Sequence, residues 1–234
     1  AEAESNLALR PLAKNVWSVT LTAAASLNLY KDAISPGRVL ASLLCSLAAL
    51  REKERLGDAL LFVHLPFWRP LVEAYRRRFG GVVVYDCMDN HRGFSTNTAR
   101  MCDEEDALVE MADVVTVSAD FLFRQFSHVD KKTLLVRNGT EFLHFHDSQP
   151  TPALAHLPHP IIGYYGAISE WFDTELIATA ARQRPEWCFV LIGDTFGANL
   201  QSLHGLANVH LLGEKPYAEL PGYLQCFDVS CIPF

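Results

Sequence analysis

Short β-branched runs alternate with longer mixed stretches along nearly the whole chain, and this alternation restricts the fold more than any other feature. Residues 16–21, 59–64, 82–85, 114–117, 133–136, 161–164, 188–192, 209–212 and 229–232 are compact apolar runs. Their near-continuous apolar character predicts parallel strands buried on both faces. Between them, residues 36–53, 69–79, 98–112, 119–126, 173–183 and 217–226 carry helical spacing. The pattern predicts an α/β fold built on doubly wound parallel sheets. Local punctuation agrees: Gly80-Gly81 marks a turn into the strand at Val82, and Pro185 suits a helix exit. Carboxylates at Asp173-Thr174-Glu175 and Asp103-Glu104-Glu105-Asp106 fall where helix starts are expected, and the helix dipole favours them there.

The pattern breaks once. Residues 140–160 hold Pro150, Pro152, Pro158 and Pro160 with four histidines and no periodicity, the composition of a linker. Strand–helix alternation restarts at Ile161. Two Rossmann-like lobes are therefore expected, residues 1–150 and 151–234, with strand carboxyl ends lining a cleft. The second lobe reads as incomplete, because its last run stops at Ile232-Pro233-Phe234 with no helix to cover the sheet. The first opens without a glycine-rich first βα turn, so the chain reads as cut at both ends.

With 20 Lys and Arg against 27 Asp and Glu, the net charge of −7 argues against nucleic acid as a partner. The six cysteines form no C-x-x-C pair and no zinc spacing, which predicts free thiols in a reducing, cytoplasmic setting. No basic leader opens the sequence, and the longest apolar stretch, 39–50, is too short to span a bilayer. Arg76-Arg77-Arg78 near Phe67 and Trp68 suggests peripheral contact with anionic headgroups on the inner membrane face. Such a cluster is more often a solvated helix face.

Tyr85-Asp86-Cys87-Met88-Asp89-Asn90-His91 closes one strand and is followed by the acidic helix at Glu104-Glu105, then Ala112-Asp113-Val114-Val115 and Ser118. Further on come Val136-Arg137-Asn138-Gly139-Thr140-Glu141 and Ile162-Gly163-Tyr164-Tyr165-Gly166. Phe189-Val190-Leu191-Ile192-Gly193-Asp194, Asn208-Val209-His210-Leu211-Leu212-Gly213 and Asp228-Val229 to Ile232-Pro233-Phe234 complete the series. In this order over residues 82–234 the motifs resemble bacterial GT-B-fold glycosyltransferases of capsule and exopolysaccharide synthesis, of family 4-like and glucuronosyltransferase-like type. Residues 1–81 match only in pattern. The resemblance implies a hexosyltransferase that moves a sugar from a nucleotide-sugar, expected to be UDP-linked, to a glycan or lipid-linked acceptor. Members of the family continue past the I-P-F motif into a helix whose Glu or Lys binds the donor's ribose or diphosphate. That segment is absent from this sequence, as are the first strand and its glycine-bearing loop.

Glycosyl transfer needs a base for the acceptor hydroxyl and donors that stabilise the departing diphosphate. In an α/β sheet these groups lie at strand carboxyl ends. Asp86, Asp89 and His91 follow the strand at Val82. In inverting relatives that add glucuronic acid to lipid-linked acceptors, the aspartate matching Asp89 is implied as the base; His91 ranks second here and Asp86 third. For each, a loop-capping side chain in an Asx-turn is the plain alternative. Gly166, with Ala167 and Ile168, opens the first βα turn of the second lobe, where glycine lets backbone N–H groups approach a diphosphate. Gly193-Asp194 and Gly213-Glu214-Lys215 end the next two strands on the same edge, and the resemblance implies that the last turn contacts the nucleotide base. Ordinary strand-to-helix turns would carry the same residues. His144-x-His146 has no third ligand nearby and no apolar-flanked D-x-D occurs, so no metal and no cofactor beyond the donor substrate are expected.

Two other readings stay open. One is a sugar-nucleotide epimerase of GT-B shape, disfavoured by Asp89 together with Asn138-Gly139. The other is a truncated, non-catalytic module that binds nucleotide or a partner, favoured by the incomplete ends.

Overall fold

The computed structural model describes residues 8–29, 34–94, 97–127 and 132–234. The chain divides into two compact units, Ala1–Asn138 and Gly139–Phe234.

In the first unit, β1 (Ala8–Ala13) and β2 (Val16–Thr20) form an antiparallel hairpin of their own. This corrects the parallel-strand expectation for residues 16–21. The chain reverses at Lys14-Asn15, where Asn15 adopts a φ of 61°, a left-handed conformation that Asn tolerates. No residue of β2 is fully buried, so its apolar run marks a surface hairpin and not a core strand. After α1 (Arg38–Lys53), four parallel strands follow: β3 (Leu60–Val63), β4 (Val82–Cys87), β5 (Val114–Val117) and β6 (Thr133–Leu135). They lie side by side in chain order. The crossovers are α2 (Arg69–Phe79), α3 (Ala99–Met111) and α4 (Asp120–Gln125). One sheet face buries Val83, Tyr85, Cys87, Val115 and Val117 against Leu108 and Val109 of α3.

α3 starts at Thr98, whose Oγ1 accepts the Met101 N–H at 3.3 Å. The run Asp103–Asp106 therefore sits beyond the first turn, where the dipole no longer rewards it, contrary to the sequence expectation. Glu104 and Glu105 point inward and are 8% and 1% exposed. Asp113, between α3 and β5, clamps the sheet: its Oδ2 accepts Val83 N–H and its Oδ1 accepts Arg76 Nη2, both at 2.8 Å. These contacts, the Val83 amide first, hold its carboxyl below the usual range around 3.8. Asp113→Ala should lower the unfolding free energy by roughly 1 kcal/mol at neutral pH, since an amide loses its acceptor. Because the folded-state pKa is depressed, that difference is present above about pH 4 and fades as pH falls through the folded value. Chemical denaturation at pH 7 and pH 3 checks both halves.

The second unit contains β7 (Ile161–Tyr165), β8 (Cys188–Ile192), β9 (Val209–Leu211) and β10 (Val229–Ser230) in the parallel order β10-β7-β8-β9. Alternate residues feed opposite cores. Ile162, Tyr164, Phe189 and Leu191 pack on α6 (Thr174–Gln183) through Ile177, Ala178 and Ala181. Ile161, Cys188, Val190 and Ile192 pack on the other face against Tyr223. Burial on both faces explains the unbroken apolar runs. Asp173 caps α6 by accepting Leu176 N–H at 2.8 Å. The proline- and histidine-rich stretch carries a short helix, α5 (Phe142–His146), and a 3-10 turn at Pro152–Leu154, so it is more ordered than its composition suggests. The helix expected over 217–226 is a 3-10 turn (Tyr217–Glu219) followed by α7 (Leu220–Leu224).

All six cysteines are free, Cys87 and Cys188 buried and Cys45 exposed. Among the described residues no helix is long and apolar enough to cross a membrane. Of the arginine cluster, Arg76 pairs with Asp113, Arg77 pairs with Glu73, and Arg78 lies over the Phe79 ring at 4.9 Å. Two of the three charges are thus neutralised within the unit, which weakens the case for a headgroup-binding patch.

Candidate functional site

At the carboxyl edge of the first sheet, three adjacent strands contribute a connected row. His64 follows β3, Asp86 is in β4, and Thr116 stands opposite Asp86 on β5. His64 Nδ1 lies 3.2 Å from Asp86 Oδ2, and the Thr116 hydroxyl donates to Asp86 Oδ1. Both Asp86 oxygens are thereby engaged, and the residue orients a histidine whose side chain is about half exposed. Neither His64 nor Thr116 stood out in the sequence. His64 and Asp86 close or directly follow their apolar runs while Thr116 interrupts its own, so the row emerges only once strand order is known.

Asp89 lies just past the end of β4 and is exposed. Its carboxylate makes no hydrogen bond or ion pair with any described residue, so the loop-capping alternative is not what the structure shows. The loop is held through its backbone instead: Ser118 Oγ donates to Met88 O at 2.7 Å, Asn97 Nδ2 to His91 O at 2.9 Å, and Cys87 Sγ to Asp89 O at 3.3 Å. His91 is 7% exposed, and its Nε2 is buried without a hydrogen-bond partner. Asp89 is thus exposed at the sheet edge, whereas the His91 side chain is buried.

In the second unit the turns after β7, β8 and β9 are knit together. Gly166 N–H donates to Ile192 O at 2.9 Å, Ile168 N–H to Asp194 O at 2.8 Å, and Gly193 N–H to Gly213 O at 3.0 Å. Three of the amides expected to face a diphosphate are therefore committed to backbone carbonyls of the neighbouring strand end and turns, and the Ile168 side chain is in the core. Ala167 and Asp194 are exposed residues whose amides make no hydrogen bond to a described residue. Gly193 is required by close approach, since a Cβ there would lie 1.8 Å from Gly166 O. Glu214 is exposed and Lys215 half-buried in the turn after β9. Directly beyond, the Tyr217 hydroxyl donates to Glu141 Oε2 at 2.7 Å, and its ring stacks on His144 with centroids 4.5 Å apart. His146 instead pairs with Asp147, so the two linker histidines serve different partners. Among the described residues no group of three or more His, Cys, Asp or Glu side chains is arranged to hold a metal ion.

Two Rossmann-like units in series, each with a parallel four-stranded sheet, give this chain the fold of the GT-B glycosyltransferases. In sequence it is similar to TuaH of Bacillus subtilis strain 168, a protein assigned as a teichuronic acid biosynthesis glycosyltransferase. They are 28% identical over 174 residues, which is 65% of this chain and 43% of TuaH. No protein-family model matches. The structure is similar to Anabaena HepE solved with UDP-glucose, at TM-score 0.62 and 16% identity over 81% of this chain and 56% of HepE. It is also similar to S. aureus TarM, solved with UDP among its ligands, at TM-score 0.57 and 12% identity over 80% of this chain and 39% of TarM. A UDP-N-acetylglucosamine 2-epimerase from Rickettsia bellii shares the fold at TM-score 0.51 and 10% identity, over 81% of this chain and 54% of the epimerase. The chain thus spans less than half of TuaH and about half of HepE.

Proposed function

We propose that this chain belongs to a glycosyltransferase that moves a hexosyl group from a UDP-sugar to a glycan or lipid-linked acceptor in envelope polysaccharide assembly. In this reading the second unit holds the donor. The unpartnered amides of the exposed residues Ala167 and Asp194 and the Lys215 ammonium offer donors for the diphosphate, and the Gly213–Lys215 turn meets the nucleotide base. The first unit supplies the base: Asp89 takes the proton of the attacking hydroxyl, and its unpartnered, exposed carboxylate at a strand end is the observation that carries the reading. A carboxylate so placed has its oxygens free to reach a hydroxyl proton, the geometry a general base needs. Similarity to TuaH supports the acceptor class, and the UDP complexes of HepE and TarM support the nucleotide.

UDP titrated calorimetrically into the chain should bind, and Gly166→Val should weaken it by about ten-fold or more, roughly 1.4 kcal/mol. Gly166 holds a φ of +149°, and its Cβ would meet the Tyr164 hydroxyl at 2.7 Å. Gly205→Val is the control: it strains a left-handed glycine (φ +78°) at the amino end of β9, away from the turns, and should leave UDP affinity unchanged. Equal affinity in the Gly166 variant would remove the donor site from these turns. Incubation with radiolabelled UDP-sugars and an envelope lipid fraction then separates the readings. Labelled glycolipid marks a transferase, an epimerised UDP-sugar marks an epimerase, and binding without either marks a non-catalytic module.

A further inference from the structure

The most unusual group in the first unit is Glu105. It occupies a core position on α3, flanked by the buried Met101, Leu108 and Val109, where an apolar side chain would carry no desolvation cost. Its Oε1 accepts from the Tyr85 hydroxyl at 2.7 Å and faces Cys87 Sγ at 3.8 Å. Its Oε2 is buried without a hydrogen bond, and the Arg92 guanidinium stands 3.9 Å away. Burial holds Tyr85 in its protonated form and pushes the Cys87 thiol up to about 12, so Tyr85 stays a donor to the carboxylate, while the one S–H of Cys87 is shared between Glu105 Oε1 and Asp89 O. All three contacts fall on one stretch of chain, the last residues of β4 and the loop that follows. Cys87 Sγ is at once 3.3 Å from Asp89 O. A buried, incompletely satisfied carboxylate is a costly device, and such violations of core chemistry concentrate where function needs them.

We infer that Glu105 is a positioning residue: from inside the core it fixes the exit of β4 so that the Asp89 carboxylate is presented at the sheet edge. The inference rests on the reading of Asp89 as base. Tyr85 and Cys87 tether the strand side of the loop to α3, and Arg92 tethers the far side through Glu105 and, by its Nη2, through Asp106. Asp89 lies between the two tethers. A displacement of about 1 Å at a reacting group can cost on the order of 10²-fold in rate, so a loop held from both ends is worth a buried charge.

Glu105→Gln tests this on the full chain, with Tyr85→Phe as a milder variant and Asp89→Asn in parallel. The readouts are UDP release from UDP-glucose, UDP affinity, thermal stability and amide hydrogen exchange. Glutamine keeps the shape and the oxygen that accepts from Tyr85, but it removes the charge facing Arg92 and buries an NH2 there without an acceptor, so melting should fall only slightly. Turnover should fall on the order of 10²-fold with UDP affinity unchanged, and exchange should quicken at residues 87–93 while α3 stays protected. Tyr85→Phe should show the same pattern in smaller degree. Wild-type turnover or unchanged loop exchange in Glu105→Gln, with Asp89→Asn inactive, overturns the positioning role alone. A large loss of stability in both variants also overturns it, because the carboxylate would then be holding the core. Wild-type turnover in Asp89→Asn would instead defeat the base assignment on which the inference stands.

Discussion

Asp89→Asn is expected to reduce sugar transfer by about 10²–10⁴-fold, the usual contribution of a general base, with UDP affinity and stability near wild type. The expectation of intact folding comes from the structure. The Asp89 carboxylate has no hydrogen bond to lose, and the loop is pinned through Met88 O, Asp89 O and His91 O. Surface changes without such partners usually fall within about 0.5 kcal/mol. Asparagine keeps the size and polarity of the side chain but cannot take the proton, so the loss should appear in turnover and not in donor binding. Radiolabelled-sugar transfer, calorimetry with UDP and a thermal melt on the same preparation check the three parts. Near-normal transfer would remove Asp89 from the chemistry. It would leave the His64–Asp86 pair as the protonatable group at that edge, with Nδ1 held by the carboxylate and the other ring nitrogen available, the arrangement that orients a base in catalytic triads.

The sequence showed the sheets more clearly than the side chains that matter around them. Runs such as 188–192 are apolar at every position because both faces of β8 are covered, and that signature survives without any tertiary knowledge. The run at 16–21 pairs with Ala8–Ala13 in a surface hairpin, and its Ser18 and Thr20, which break the apolar character, were the local signal that separates it from a buried strand. The site followed the same division. Asp89 and the glycine turns are adjacent to strand ends and could be placed by counting. The Asp86 row could not, because its partners are 22 and 30 residues away on neighbouring strands. Glu105 reads in sequence as one more charge on an acidic helix, and only the packing of α3 on Tyr85 and Cys87 shows it facing inward. Likewise the amides of Gly166 and Gly193 look available in sequence and are spent on the carbonyls of Ile192 and Gly213 in the fold.

That last point yields the largest structural effect. Gly193→Ala should destabilise the second unit by roughly 3 kcal/mol or more, from overpacking of about 1–3 kcal/mol and backbone strain of similar size. The added methyl would stand 1.8 Å from Gly166 O and 2.8 Å from its carbonyl carbon. These are backbone atoms, so no rotamer change relieves the clash. Gly193 itself holds a φ of +153°, which an L side chain adopts only with strain. Gly166 cannot simply retreat, because its N–H is bonded to Ile192 O one residue before the substitution, and Gly193 N–H is bonded to Gly213 O. The turns after β7, β8 and β9 must separate together, carrying Ala167, Asp194, Glu214 and Lys215 with them. UDP binding should therefore be lost along with stability, measured by denaturant unfolding and calorimetry. Gly205→Ala, at a φ of +78° with nothing within 4 Å of the new methyl, should cost only the local strain and keep UDP affinity. A Gly193→Ala chain that melts like wild type would mean that the three turns are not interlocked. One that melts early but still binds UDP normally would place the donor elsewhere than on this edge.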